Sequence, residues 1–208
     1  MNRIKQKIYS LGYRLGILSP DQIYSDEWFE EMTGEEWKVD AENVVASLIN
    51  EFDPDSVIDF GCGVGLHISI FMNNNIKIKG IDGSKSAIDQ NIVPKKYLEQ
   101  ADLRNKYNTS QEYDLVLCFE VAEHLPGRHA DTLIRTLTNA GETVAFTAAT
   151  PGQGGTHHVN EKPRSYWIEK FESFGFSYDN MAVRSLRKSM NVEKTTWIPK
   201  NIFVFKQE

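Results

Sequence analysis

The stretch Val57-Ile58-Asp59-Phe60-Gly61-Cys62-Gly63-Val64-Gly65 joins a short apolar run to three glycines at alternate positions. Val57 to Phe60 is expected to form a buried strand, Gly61 to Gly65 a tight loop and Leu66 to Met72 a helix. Glycine lets the backbone turn sharply and come close to a ligand with no Cβ in the way, so Gly61, Gly63 and Gly65 are candidate binding positions at a strand-to-helix turn. A dinucleotide fingerprint, G-x-G-x-x-G, would need glycine where Leu66 stands. The third glycine comes one residue early, which disfavours a nicotinamide cofactor.

The alternation continues on both sides of this stretch. Downstream, strands are expected at Ile76 to Ile81, Tyr97 to Ala101, Tyr113 to Phe119 and Thr143 to Ala148, with helices near Ser84 to Gln90 and Arg128 to Leu137. Pro163 opens a helix with an apolar stripe of Trp167, Ile168, Phe171 and Phe174, and closing strands are expected at Phe176 to Val183 and Asn201 to Phe205. Upstream, a helix from about Asp40 to Ile49 stops at Asp53-Pro54-Asp55. Ile4, Ile8, Leu11, Leu15 and Leu18 share one face of a further helix, which either packs on its own domain or touches a membrane surface. Such alternation defines a doubly wound α/β sheet, whose ligands sit at the carboxyl ends of its strands.

With 208 residues, 40% hydrophobic and 25% charged, the chain has the size and usage of one globular domain, not of a disordered or fibrous protein. Its net charge of −6 argues against broad nucleic-acid binding. Residues 1–20 hold the bases Arg3, Lys5, Lys7 and Arg14 and no acid, and residues 181–208 are also basic. Cys62 and Cys118 form no C-x-x-C pair, which fits a reducing cytosol. No apolar run reaches the roughly 20 residues of a membrane span.

Asp82 ends the second strand, where a carboxylate can accept hydrogen bonds from two ribose hydroxyls; its bland alternative is a helix N-cap. The glycine loop, Asp82, Asp102-Leu103 after the third strand, and Tyr113-Asp-Leu-Val-Leu-Cys-Phe-Glu-Val-Ala-Glu-His-Leu-Pro126 together resemble the class I S-adenosylmethionine-dependent methyltransferases over roughly residues 40–182. The resemblance is sharpest to a subgroup of small bacterial and archaeal enzymes with FEVAEHLP and GGTxHVNE-like motifs. It implies a Rossmann-like sheet of about seven strands, mostly parallel with an antiparallel C-terminal strand, helices on both faces and an N-terminal helical extension. Residues 1–37 would be that extension, a possible acceptor cap, and residues 38–208 the methyltransferase domain. It also implies S-adenosyl-L-methionine as cofactor, with a small molecule or glycan as acceptor.

Carried over residue by residue, Asp59, Gly61, Cys62, Gly63 and Gly65 would face the methionine and ribose parts of the cofactor, and Asp82 would grip the ribose. Asp102 and Leu103 would contact adenine, and Phe119 and Glu120 would line the methyl-donor side. Gly83 departs from the larger apolar residue that often follows the acid, leaving Ile81, Ser84 and Leu103 to form the adenine wall.

Methyl transfer needs a base only when the acceptor proton must leave, and histidine suits that work. His124 and His158 are the candidates with Glu120, and His158 is preferred over His157. No metal site is assigned, although Glu120, Glu123 and His124 with His157 or His158 would make an oxygen and nitrogen ligand set. A similar pattern occurs in methyltransferases that modify the terminal ribose of small RNAs. His67 and His129 are expected to be structural or solvated, Cys62 and Cys118 to be packing residues, and Trp28, Phe29 and Trp37 either a cap over the site or local core.

Overall fold

The computed structural model describes Gly12 and residues 26–208, with side chains from residue 29 onward. The amphipathic helix expected at residues 4–18 and the side chain of Trp28 lie outside the described residues.

Seven strands form one sheet: β1 (Ser56–Phe60), β2 (Lys77–Asp82), β3 (Leu98–Gln100), β4 (Leu115–Cys118), β5 (Thr143–Phe146), β6 (Phe176–Tyr178) and β7 (Phe203–Gln207). Their order across the sheet is β3-β2-β1-β4-β5-β7-β6. Pairings among β1 to β5 are parallel, while β7 runs antiparallel to both β5 and β6. Sequence order reverses between β1 and β4, so the crevice that opens at their carboxyl ends is where a ligand fits this topology.

The helices are α1 (Asp26–Glu31), α2 (Glu35–Phe52), α3 (Leu66–Asn73), α4 (Lys85–Asp89), α5 (Ala130–Thr138), α6 (Arg164–Glu172), α7 (Asn180–Ser189) and α8 (Trp197–Asn201). Strand period two divides the apolar side chains between two cores. Ile58, Val116, Cys118, Val144, Phe146, Phe203 and Phe205 point to one face and pack under Leu133 and Leu137 of α5 and Trp167 and Phe171 of α6. Val57, Leu115, Leu117, Ala145 and Val204 point to the other and meet Val44, Val45 and Leu48 of α2, Ile68 and Phe71 of α3, and Val183 and Leu186 of α7. Burial on both faces is why β4 reads as an unbroken apolar run.

Two expectations need correction. The strand expected over Phe176 to Val183 stops at Tyr178, and α7 begins at Asn180. Asp179 caps that helix, its Oδ1 accepting from Ala182 N at 2.9 Å. The helix expected from Asp40 begins at Glu35. Among the described residues no helix is long and apolar enough to cross a membrane.

Candidate active site

A cavity of about 680 Å³ opens at the carboxyl edge of the parallel strands. That volume is within the range of small-molecule sites. The loop after β1 contributes Gly61, Cys62, Gly63 and Val64, β2 contributes Asp82 and Gly83, and the chain after β3 contributes Asp102 and Leu103. Phe119, Glu120, Val121, His124 and Leu125 enter after β4, and Gln153 to Thr156 with His158 after β5. The far wall is non-local: Phe29 and Met32, Trp37 and Ala41 of α2, and the segment from Lys194 to Ile198 with Lys200.

The loop after β1 is locked by Asp82. Its Oδ2 accepts from Gly63 N and its Oδ1 from Ser84 N, each at 2.8 Å. A carboxylate has about four acceptor sites, so Asp82 is able to serve the loop and a ligand together. Gly63 has φ of 53°, and a Cβ there would meet nothing within 4 Å, so its backbone faces open space. Gly65 has another task. Its φ is 80° where α3 begins, and a Cβ would lie 2.3 Å from Asn91 Oδ1.

Asp59 is 3% exposed at the floor of the cavity. Burial, reinforced by the nearby Asp82 charge, raises its carboxyl to about 7. A cation placed beside it would restore the ionised form. The cradle therefore suits a ligand with a positively charged end and a diol.

Two predicted cofactor residues do not line this cavity. Gly65 shapes the turn, and Ser84 is buried as the N-cap of α4, accepting from Ala87 N at 3.3 Å. Asp102 lines the cavity, but Arg104 holds its carboxylate through Nε and Nη2, the latter at 2.6 Å.

His158 projects from the loop after β5 into the cavity. Its Nδ1 lies 3.0 Å from Glu161 Oε1. Glu161 also accepts from Gly152 N and Gly154 N at 2.8 Å. Burial would raise the Glu161 carboxyl, but these hydrogen bonds outweigh it and hold it below its usual value. An ionised Glu161 orients Nδ1–H toward itself and leaves His158 Nε2 as the acceptor. His157 has φ of 62° and does not line the cavity. The His124 and His158 rings meet edge to face with centroids 5.0 Å apart. Burial first, and then the neighbouring His158 ring, push His124 down to about 3, which makes it a much weaker base. His67, expected to be structural or solvated, lines the cavity beside Phe119, and burial lowers it to about 4.

Glu120 takes a left-handed φ of 54°, fixed where its N–H donates to Thr147 Oγ1 at 2.8 Å. Its neighbour Glu123 is fully buried. Burial first, and Glu120 second, raise the Glu123 carboxyl well above the carboxylate range. Ligand atoms of Glu123, His124 and His158 all lie within 4.8 Å of one another, an arrangement able to take a divalent ion once Glu123 gives up its proton.

The comparisons agree with this geometry. Residues 35–179 match the family model described as "Methyltransferase domain". The ubiquinone biosynthesis O-methyltransferase of Coxiella burnetii is 33% identical over 79 residues, covering 34% of this chain and 32% of the relative. A Rickettsia typhi protein of the same name is 31% identical over 84 residues, covering 36% of this chain and 33% of the relative. The chain thus spans about a third of the length of the curated relatives it matches. Among solved structures, Streptomyces venezuelae DesVI superposes with a TM-score of 0.68 at 12% identity, covering 92% of this chain and 99% of that one. Magnesium protoporphyrin IX methyltransferase from Synechocystis PCC 6803 gives 0.66 at 16% identity, covering 98% and 100%.

Proposed function

Since the chain belongs to the class I S-adenosylmethionine-dependent methyltransferases, we propose that it moves the methyl group of that cofactor to a hydroxyl or amine of a small molecule or glycan. The observation that carries the reading is continuity: one cavity joins the acidic, glycine-lined strand edge to a wall of aromatic and polar side chains with His158 between them. When bound, the cofactor supplies a sulfonium methyl as electrophile.

This chain's residues do the rest. Asp82 anchors the loop and offers lone pairs to the ribose hydroxyls, and Asp59 faces the positive end of the ligand. The walls hold the acceptor atom in line with the methyl, and alignment of this kind is worth up to about 7 to 11 kcal/mol of the barrier. His158 Nε2 takes the acceptor proton while Glu161 fixes the ring. Glu120 lines the methyl-donor side. Residues 38–208 form the methyltransferase domain, and residues 1–37 serve the acceptor side.

A second reading, metal-assisted methylation of an RNA ribose, is favoured by the proximity of Glu123, His124 and His158. A third is a cofactor-binding protein without transferase activity. One experiment separates them: labelled S-adenosylmethionine is offered with small-molecule, glycan and RNA acceptors, with and without a chelator. Transfer to a small molecule or glycan that survives the chelator is expected. Chelator-sensitive labelling of RNA would favour the metal reading, and cofactor binding without labelling of any acceptor the silent one.

A further inference from the structure

The cavity carries side chains of both signs. Among the described residues its acids are Glu31, Asp59, Asp82, Asp102 and Glu120, and its bases besides histidine are Lys194 and Lys200. Four of these acids sit at strand ends, where they suit a cationic cofactor. Both lysines come from one segment of the opposite wall. The cofactor carries a single carboxylate, on its methionine part, so two ammonium groups exceed what it can pair with and leave charge for an anion on the acceptor.

The segment that carries them is built into the fold. Asp40, 3% exposed on α2, accepts from Glu193 N and Lys194 N at 2.9 Å, from Thr195 N at 2.6 Å and from Thr195 Oγ1 at 2.9 Å. That clamp presses residues 193–195 against α2 and sets Trp197 edge to face with Trp37, their ring centroids 6.1 Å apart. Lys194 Nζ stands 5.6 Å from the centre of the Trp37 ring and 3.4 Å from the exposed Glu36 carboxylate, a pair open to solvent and therefore weak. Lys200 forms no ion pair among the described residues. Two indoles offer flat faces and edges to a ring, and the lysines beside them offer charge-assisted donors.

We propose that the acceptor is a ring compound bearing an anionic group, a carboxylate or a phosphate ester, with the anion held by Lys194 and Lys200 and the ring against Trp37 and Trp197. The proposal rests on the methyltransferase reading and adds the substrate class. The anion faces outward, so the hydroxyl or amine to be methylated points inward to His158 and the strand edge.

The test uses the full chain saturated with S-adenosylhomocysteine and follows tryptophan emission, to which Trp37 and Trp197 contribute. Para-hydroxybenzoate is compared with phenol, and glucose 1-phosphate with glucose, so the two arms separate carboxylate from phosphate. At least one charged probe should bind on the order of tenfold more tightly than its neutral partner, the gain expected of a charge-assisted hydrogen bond. Lys200→Met and Lys194→Met should each erase most of that difference while leaving S-adenosylhomocysteine affinity unchanged in calorimetry. Equal binding of charged and neutral partners, absence of binding by both charged probes, or a preference that survives both substitutions would overturn the proposal. So would tighter binding of a short single-stranded RNA that the same substitutions abolish. Failure of S-adenosylhomocysteine itself to bind would sink the methyltransferase reading instead, and calorimetry reports that separately.

Discussion

Asp59 is the buried acid at the strand edge of the cavity. Its folded-state value, about 7, is raised from 3.8 by burial and by Asp82. The sign follows from linkage: the folded chain holds this proton where the unfolded chain has lost it, so Asp59 costs stability increasingly as pH rises from 4 to 7, and the full cost is felt above 7. Asp59→Asn should therefore raise the melting temperature of the cofactor-free protein at pH 8 by about 2 to 8 °C, the equivalent of ~1 to 2 kcal/mol, and leave it almost unchanged at pH 4. Cofactor affinity should move the other way, because a cationic ligand pairs with the ionised form. Calorimetry is expected to show wild-type affinity about tenfold weaker at pH 6 than at pH 8, with proton release on binding, and both effects lost in Asp59→Asn. His158 carries a different expectation: His158→Ala should lower turnover by roughly 10² to 10⁴ while cofactor affinity stays within a few fold. Unchanged turnover on the true acceptor would remove it from the chemistry. The strand-edge lining of the cavity was legible in the sequence because its residues are local: a glycine turn and single acids at strand ends follow from backbone shape that short motifs encode. Gly65 and Ser84 lie off the cavity for the same reason, since a motif does not say which of its members shape the turn and which face the open space.

At the scale of elements, the Asp40 clamp joins α2 to the segment before α8 across more than half the chain. Burial opposes the charge on Asp40, but hydrogen bonds from Glu193, Thr195 and Lys194 outweigh it and hold the carboxyl below its ordinary value. A depressed carboxylate contributes stability above the unfolded value of 3.8, and that contribution is lost as pH falls through the folded one. Asp40→Ala leaves buried donors without an acceptor and should cost about 2 to 4 kcal/mol at pH 7, with the difference from wild type shrinking toward pH 3. Limited proteolysis should find new cleavage between residues 190 and 196, with S-adenosylhomocysteine still bound. Cleavage elsewhere, or loss of cofactor, would mean that the clamp supports the whole domain and not one wall. This contact was invisible in the sequence because no short spacing links residue 40 to residue 193. The α7 helix was misread for a more local reason: Phe176, Tyr178 and Val183 look strand-like in sequence, yet Asp179 caps a helix whose apolar positions Ala182, Val183 and Leu186 fit the helical period.

For the whole molecule, the cavity has two origins in the chain. Residues 59–125 build one part of the lining from consecutive strand edges, whereas the rest needs residues 29–41 and 194–200 to meet after folding. The first origin is why fold and cofactor could be read from the sequence, and the second is why the acceptor wall could not: Trp197 and Lys200 belong to no motif and acquire meaning only beside Trp37. Phe29 lines the cavity from α1, and Met32 just after it. Residues 1–20 are basic and amphipathic by sequence, and we propose that they serve the acceptor and keep water from the transfer. Deleting residues 1–20 should therefore leave S-adenosylmethionine affinity within a few fold, because Asp59, Gly63 and Asp82 are untouched, while turnover falls by about tenfold or more as positioning and closure are lost. Calorimetry with the cofactor and steady-state assays on the same truncated protein separate the two quantities. A truncated protein that keeps its melting transition but no longer binds the cofactor would put the segment over the cofactor instead, and the division of the cavity into two ends of separate origin would have to be redrawn.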